Sequence, residues 1–297
     1  TMKKIVWLLM MVVMPMVANA AFSRNADLED EDELLHRLDQ YIARRDEFSS
    51  KKEKKLIRMK KKLNLTSGKR ERLSLYNQIY REYYTYRYDS AMVYAKRGLQ
   101  LAEQLHDDYY INLNKINRAA VLSTGGFYSQ AEDLLLSLKP EDISPKLMQY
   151  YYYTLTWVYN YWGAFCERSE FKEEMQNKKR LYLAKTLEYM GNKQSALYYY
   201  LSGELEYLLH RTDKKVLGWY QKALAASPVD SRVHASAAYC IARYYQDNEQ
   251  MDIYEKYLVQ AAISDQVCPL KENLALQELS TLSLIHISEP TRLRCIS

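Results

Sequence analysis

The sequence is poor in the residues that interrupt regular structure, since its 297 residues include only 8 glycines and 6 prolines. It also lacks the alternation of apolar and polar residues that is typical of strands, so a chain that is nearly all helix is favoured. Phenylalanine is scarce as well, at 5 residues, while tyrosine reaches 29. A tyrosine ring can be buried while its hydroxyl reaches water or a partner, which suits helices packed in thin layers.

Motifs of catalysis and ligand chemistry are also missing from the sequence. It contains no GxSxG turn, no glycine-rich phosphate loop, no HExxH pair and no EF-hand loop. The 5 histidines are scattered, without the spacing of metal ligands. We therefore predict that the chain is not an enzyme and binds no metal or cofactor. The net charge of +5 is modest and does not indicate a nucleic acid partner.

Four cysteines are present, and none are spaced as a CxxC pair or as zinc ligands. Cys166, Cys240 and Cys268 either include one disulfide, as in an oxidising compartment, or serve as small apolar side chains between helices. The sequence does not determine a pairing. Cys295 belongs to the C-terminal tail discussed below.

The N-terminus has the layout of a secretory signal peptide. Lys3 and Lys4 precede an apolar run at residues 5–17, and the small residues Ala18 and Ala20 flank Asn19. The run is shorter than the ~20 residues that cross a bilayer. Residues 1–20 are therefore predicted to be cleaved, and the mature chain is predicted to be periplasmic.

The C-terminus breaks the helical pattern. Residues 282–297 look like the translation of a sequencing adapter, so we expect a non-native tail there and a native sequence that ends near residue 281. A helix that begins after Pro269 lacks a following partner, which also indicates a truncated array.

Helical hairpins of the tetratricopeptide type are indicated at residues 69–281. The sharpest instance is residues 194–226, where Tyr220 precedes Ala223 by three positions and Pro228 follows the helix. The small residue allows close helix contact, the aromatic ring fills the space beside it, and the proline ends the helix. The predicted fold is all-α, a tetratricopeptide-like superhelix (an α-solenoid), with a charged N-terminal helical segment at residues 21–68 in front of it.

Two parts of the sequence have two interpretations each. The basic stretch at residues 51–62 is either a helix for a membrane surface or an acidic partner, or a solvated helix whose lysines balance the acidic residues 29–33. The aromatic helix at residues 147–162 offers Tyr151, Tyr152 and Tyr159 as a groove for a partner. Aromatic residues at helical spacing also form cores, and the sequence favours that second interpretation for the tyrosines.

A resemblance to a known family rests on three segments: the charged residues 38–63, the step from Tyr84 through Tyr88 to Ala91, and residues 257–276 with their Ala261–Asp265 core. They resemble a family of exported tetratricopeptide-like proteins of Gram-negative anaerobes that carries a domain of unknown function and is often labelled as transcriptional regulators. In such relatives a transmembrane helix, a coiled coil and a cytoplasmic part follow the periplasmic array. The resemblance brings no catalytic or ligand residues with it.

We expect the chain to be the sensory or protein-interaction segment of a membrane-spanning regulator, with a protein or peptide as its partner. In that case a C-terminal helix missing here would anchor it in the inner membrane. The alternative is a free-standing periplasmic scaffold that binds a glycan or a peptide. The sequence leaves the oligomeric state open.

Overall fold

The structure, a computed structural model, describes residues 31–268 and 273–282. The predicted leader at residues 1–20 and, apart from Leu282, the predicted tail at residues 282–297 lie outside the described residues. No β-strand occurs in the described part of the chain. Its helices are α1 (Glu31–Ala43), α2 (Arg45–Leu65), α3 (Lys69–Tyr84), α4 (Tyr88–Gln104), α5 (Asp108–Thr124), α6 (Tyr128–Leu136), α7 (Pro145–Phe165), α8 (Lys172–Tyr189), α9 (Ala196–Leu209), α10 (Lys214–Ala225), α11 (Arg232–Asp247), α12 (Met251–Val267) and α13 (residues 274–282).

Five consecutive helical hairpins form the body of the molecule. They are α3–α4, α5–α6, α7–α8, α9–α10 and α11–α12, and helix α13 follows them. The first helices of successive hairpins contact one another from α3 to α5 to α7 and from α9 to α11, so they form the inner face of a curved stack. This confirms the predicted all-α, tetratricopeptide-like superhelix.

The hairpins have local causes in the sequence. Asp107, Ser195 and Ser231 each cap a helix by accepting a hydrogen bond from a backbone N–H of the first turn. Between α5 and α6 the chain turns at Gly126, whose φ of 86° is in the left-handed region where glycine carries no penalty. Short connections of this kind force neighbouring helices to run antiparallel.

The hairpin α9–α10 has the close approach that its sequence motif predicts. A Cβ atom on Gly203 would lie 2.6 Å from ring atoms of Tyr220, so only glycine allows this contact. Ala223 and Val216 are fully buried beside the same ring.

The N-terminal helices close the stack upon itself. In α1, Leu34 and Leu38 are buried in a cluster that includes Tyr254 and Leu258 of α12. Helix α2 then contacts both α12 and α3, and Leu56 is buried against the first hairpin. At 1.5 Å of rise per residue, the 21 residues of α2 reach about 30 Å. The N-terminal segment therefore runs from the last complete hairpin to the first.

Tyrosine rings fill the layers between helices. Tyr80, Tyr159, Tyr220 and Tyr254 are among the largest fully buried side chains. Their hydroxyls still find partners: Tyr220 donates to Glu204 at 2.9 Å and Tyr254 donates to Glu278 at 2.6 Å. The excess of tyrosine over phenylalanine thus gives a core whose rings are buried and whose polar tips are paired.

Candidate functional site

A cavity of about 610 Å³ lies on the inner face of the stack. Its volume is within the range of roughly 300–1,000 Å³ that is typical of small-molecule sites. The walls come mainly from the first helices of the hairpins and from α13, and Tyr88 of α4 and Asp265 of α12 complete them. Helix α11 contributes Arg232, Ala235, Ser236, Tyr239 and Cys240. Residues spaced three and four apart lie on one face of a helix, so these five share a face.

Most of the walls are aromatic. The rings come from five different helices, so each hairpin except the second places at least one of them in the cavity. These residues are Tyr84, Tyr88, Trp157, Tyr161, Tyr200 and Tyr239. The rings of Trp157 and Tyr161 lie 5.9 Å apart between centroids, which makes one continuous aromatic wall along α7.

The cation of the cavity is Arg232, the first residue of α11. Its Nη2 donates to the Tyr161 hydroxyl at 3.4 Å. No carboxylate within the described residues lies at salt-bridge distance from its guanidinium. Arginine remains charged at any physiological pH, so a permanent positive charge faces a wall of neutral rings.

One buried donor in the cavity wall lacks a partner. The indole Nε1 of Trp157 is inaccessible to solvent and makes no hydrogen bond within the described part of the chain. An unpaired buried N–H costs about 1–3 kcal/mol, and this one is packed inside the wall, since solvent in the cavity does not reach it.

Glu204 lines the same cavity, but its carboxylate is already paired with other groups of the protein. Its Oε2 accepts from Lys179 at 3.0 Å, and its Oε1 accepts from Tyr220 and from the Cys240 thiol. Burial alone would raise the pKa of Glu204, but Lys179 and these donors hold it below its ordinary value. Burial and Glu204 raise the pKa of the Cys240 thiol, so it stays protonated and is a poor nucleophile.

Comparison with known families identifies the fold family. The model of the SusR N-terminal TPR domain matches residues 42–286. The chain belongs to this family. No curated protein matches the chain. Tetratricopeptide-type repeats generally mediate interactions between proteins and are generally not enzymatic, so membership supports a role in protein interaction.

The three tyrosines that the sequence offered as a groove lie elsewhere in this TPR domain. Tyr151, Tyr152 and Tyr159 are buried in the layer formed by α5, α6, α7 and α8, and none of them lines the cavity. Their ring faces are covered by neighbouring side chains such as Tyr182, which stacks on Tyr159 at 5.5 Å. A role of these rings in partner binding stays a prediction, and the residues of α7 that line the cavity are Trp157, Asn160 and Tyr161.

Cysteines and acidic residues do not form a further site in the part of the chain that the structure describes. Cys166, Cys240 and Cys268 are free thiols, and no group of three or more potential metal ligands occurs among the described residues. Within the same residues, no helix is both long and apolar enough to cross a bilayer.

The basic helix α2 is partly neutralised by its neighbours. Lys55 pairs with Glu82 of α3 at 2.6 Å, and Lys62 pairs with Glu71 at 3.3 Å. These contacts favour the interpretation of α2 as a solvated helix held against the first hairpin over that of a membrane-binding surface.

Proposed function

We propose that the chain is the periplasmic sensory segment of a membrane-spanning regulator, and that the state of its central cavity is the signal. The observation that carries this proposal is the cavity itself, because residues from all five hairpins and from α13 line it and one small occupant would contact several of these helices. The match to a domain described as N-terminal in SusR and the signal-peptide layout of residues 1–20 support it.

Binding in the cavity would be coupled to the output through the N-terminal helices that close the stack. An occupant that draws the inner helices together favours one curvature of the superhelix over another, since it binds one arrangement better. Helices α1 and α2 connect the two ends of the stack, so a change of curvature alters their contacts with α12. A segment that follows α13 would pass this change through the membrane to an output part, or to a protein partner.

The test is a variant that fills the cavity without disturbing the layers between helices. Ser236→Trp places a large ring at a partly exposed cavity position of α11. Leu181→Trp is the matched control, because Leu181 lies on α8, is 52% exposed and is remote from the cavity lining. Each variant replaces the chromosomal copy in the native host, and transcript levels are compared with those of the unaltered strain.

The regulator proposal expects a defined set of transcripts to change in Ser236→Trp and not in Leu181→Trp. Unchanged transcripts in both strains, with both proteins found at normal levels in the periplasmic fraction, would favour the alternative of a free-standing scaffold that binds a peptide or a glycan. If the protein were recovered from the cytoplasm alone, it would not be exported. Both the regulator proposal and the scaffold alternative would then fail.

A further inference from the structure

Arg232 occupies a position that is unfavourable for a cation. It is the first residue of the 16-residue helix α11, where the helix dipole favours negative charge and opposes a positive one. Its side chain lies between Tyr161 and the other rings of the cavity, and its one hydrogen bond runs to a neutral hydroxyl. A guanidinium that has left bulk water without a carboxylate partner is destabilising for the empty protein.

The other charges of the cavity do not compensate Arg232. Glu204 is committed to Lys179, Tyr220 and Cys240. Asp265 also lines the cavity and is only 8% exposed, but it is not within salt-bridge distance of the guanidinium. Among the described lining residues, Arg232 is therefore the cation that can pair with an incoming anion.

The remaining lining fits the body of an organic molecule rather than a bare inorganic ion. The Trp157 ring lines the cavity, and Tyr161 links this ring to Arg232. Aromatic walls bind rings and flat groups by stacking. The guanidinium fork matches the two oxygens of a carboxylate or of a phosphate.

We propose that the central cavity binds a small organic anion, whose carboxylate or phosphate group pairs with Arg232 while its body lies against Trp157 and the tyrosine rings. This inference rests on the proposed function, because it names the chemical class of the signal. The anionic group would come close to the N-terminus of α11, where the helix dipole adds to its binding.

The experiment compares acids with neutral molecules of the same shape on the purified full chain. The pairs are glucuronate with glucose, benzoate with benzyl alcohol, and glucose 6-phosphate with glucose, all at constant ionic strength. Thermal unfolding midpoints and tryptophan fluorescence report binding, because a ligand that binds only the folded state raises the midpoint. The first two pairs test a carboxylate and the third tests a phosphate, so they separate the two sources of negative charge.

Three variants accompany the unaltered chain. Arg232→Gln removes the charge, Arg232→Lys keeps the charge but loses the planar fork, and Arg180→Gln is a control on the exposed side of α8. We expect at least one acid to bind about tenfold or more tightly than its neutral counterpart in the unaltered chain and in Arg180→Gln. In Arg232→Lys the preference should shrink, and in Arg232→Gln it should disappear.

The outcomes separate this inference from the proposed function. Equal shifts for acids and neutral counterparts, no shift for any acid, or a preference that survives in Arg232→Gln would each overturn the anion site. If the Ser236→Trp strain nevertheless changes its transcripts, the sensor stands and its signal is a neutral molecule. If acids bind through Arg232 while transcripts stay unchanged, the anion site stands and the regulator proposal fails.

Discussion

Helices α7 and α11 each have one face in a layer between helices and another in the central cavity. The two faces differ in whether their polar side-chain groups have partners. On α7, the Tyr159 ring is 1% exposed and its hydroxyl donates to Glu132. On the cavity side of the same helix, the Trp157 N–H has no partner within the described residues. On α11, His234 faces α12 and contacts Ser264, whereas Arg232 faces the cavity.

This difference shows where the molecule is built for stability and where it is not. In the layers, four fully buried tyrosines pair their hydroxyls, so folding leaves these donors satisfied: Tyr80, Tyr159, Tyr220 and Tyr254. In the cavity, the Arg232 guanidinium has no carboxylate partner among the described residues, which is costly for the empty protein. Strain of this kind is expected at binding sites, because an occupant can relieve it. The layer faces should therefore govern stability, and the cavity faces should govern ligand response.

The largest expected effect is at Tyr159. Tyr159→Ala removes a ring that stacks on Tyr182 at 5.5 Å, and the free energy of unfolding should fall by about 3–5 kcal/mol. Tyr161→Ala, on the cavity side of the same helix, opens space that solvent can fill and should cost less than about 1.5 kcal/mol. Urea denaturation followed by far-UV circular dichroism measures both. Equal losses in the two variants would break the distinction between layer and cavity.

Glu204 lies on the border between the two environments and should behave as a layer residue. Glu204→Gln leaves Lys179, whose side chain is 13% exposed, without its carboxylate, and a loss of about 3 kcal/mol is expected. The control Glu174→Gln breaks a pair with Lys178 in which the carboxylate is 54% exposed, and it should cost less than about 1 kcal/mol. If the Glu204→Gln protein were as stable as the control, the Glu204–Lys179 pair would contribute no more than an exposed surface pair does.

The third prediction concerns the closure of the stack. Leu38→Ala removes a side chain that α1 buries against α12, with an expected loss of about 2 kcal/mol or more, whereas Leu35→Ala on the solvent side should cost little. Hydrogen exchange should show faster exchange in α1 of the Leu38→Ala protein while α7 and α8 stay protected. If exchange in α7 and α8 rises equally, then α1 is part of one cooperative core and does not open separately.

Much of the fold could be predicted from local patterns. The spacing of Tyr220, Ala223 and Pro228 predicts a helix that the structure places at Lys214–Ala225, and Gly126 does occupy a turn. Such signals depend on neighbours within a few residues, so one sequence contains them. The contact of Leu38 with Tyr254 joins segments that are far apart in the chain, and no local pattern specifies it.

The cavity was not predicted, because helical periodicity shows which residues share a face but not what that face meets. For α7, the sequence offered Tyr151, Tyr152 and Tyr159 as a groove, whereas the rings of this helix that line the cavity are Trp157 and Tyr161. One signal for the site was present. A basic residue directly after the Ser231 cap of α11 opposes the helix dipole, and this placement could have singled out Arg232.

The smallest effect is expected at His234, on the layer face of α11. Its Nδ1 lies 2.9 Å from the Ser264 hydroxyl, and burial lowers the pKa of His234 below its ordinary value. Because the unfolded chain takes up this proton at a higher pH than the folded chain does, stability is full above about pH 6.5 and falls as the pH is lowered, by at most about 1.4 kcal/mol per pH unit. His234→Asn keeps a hydrogen-bonding group and cannot titrate, so urea midpoints measured between neutral and mildly acidic pH should no longer show this dependence on pH.

The control is Arg232→Gln, which lies two residues away but on the cavity face and should keep the pH dependence. A slope that disappears in Arg232→Gln as well would show that the two faces of α11 are electrostatically coupled, and the separation between layer and cavity would not hold for this helix.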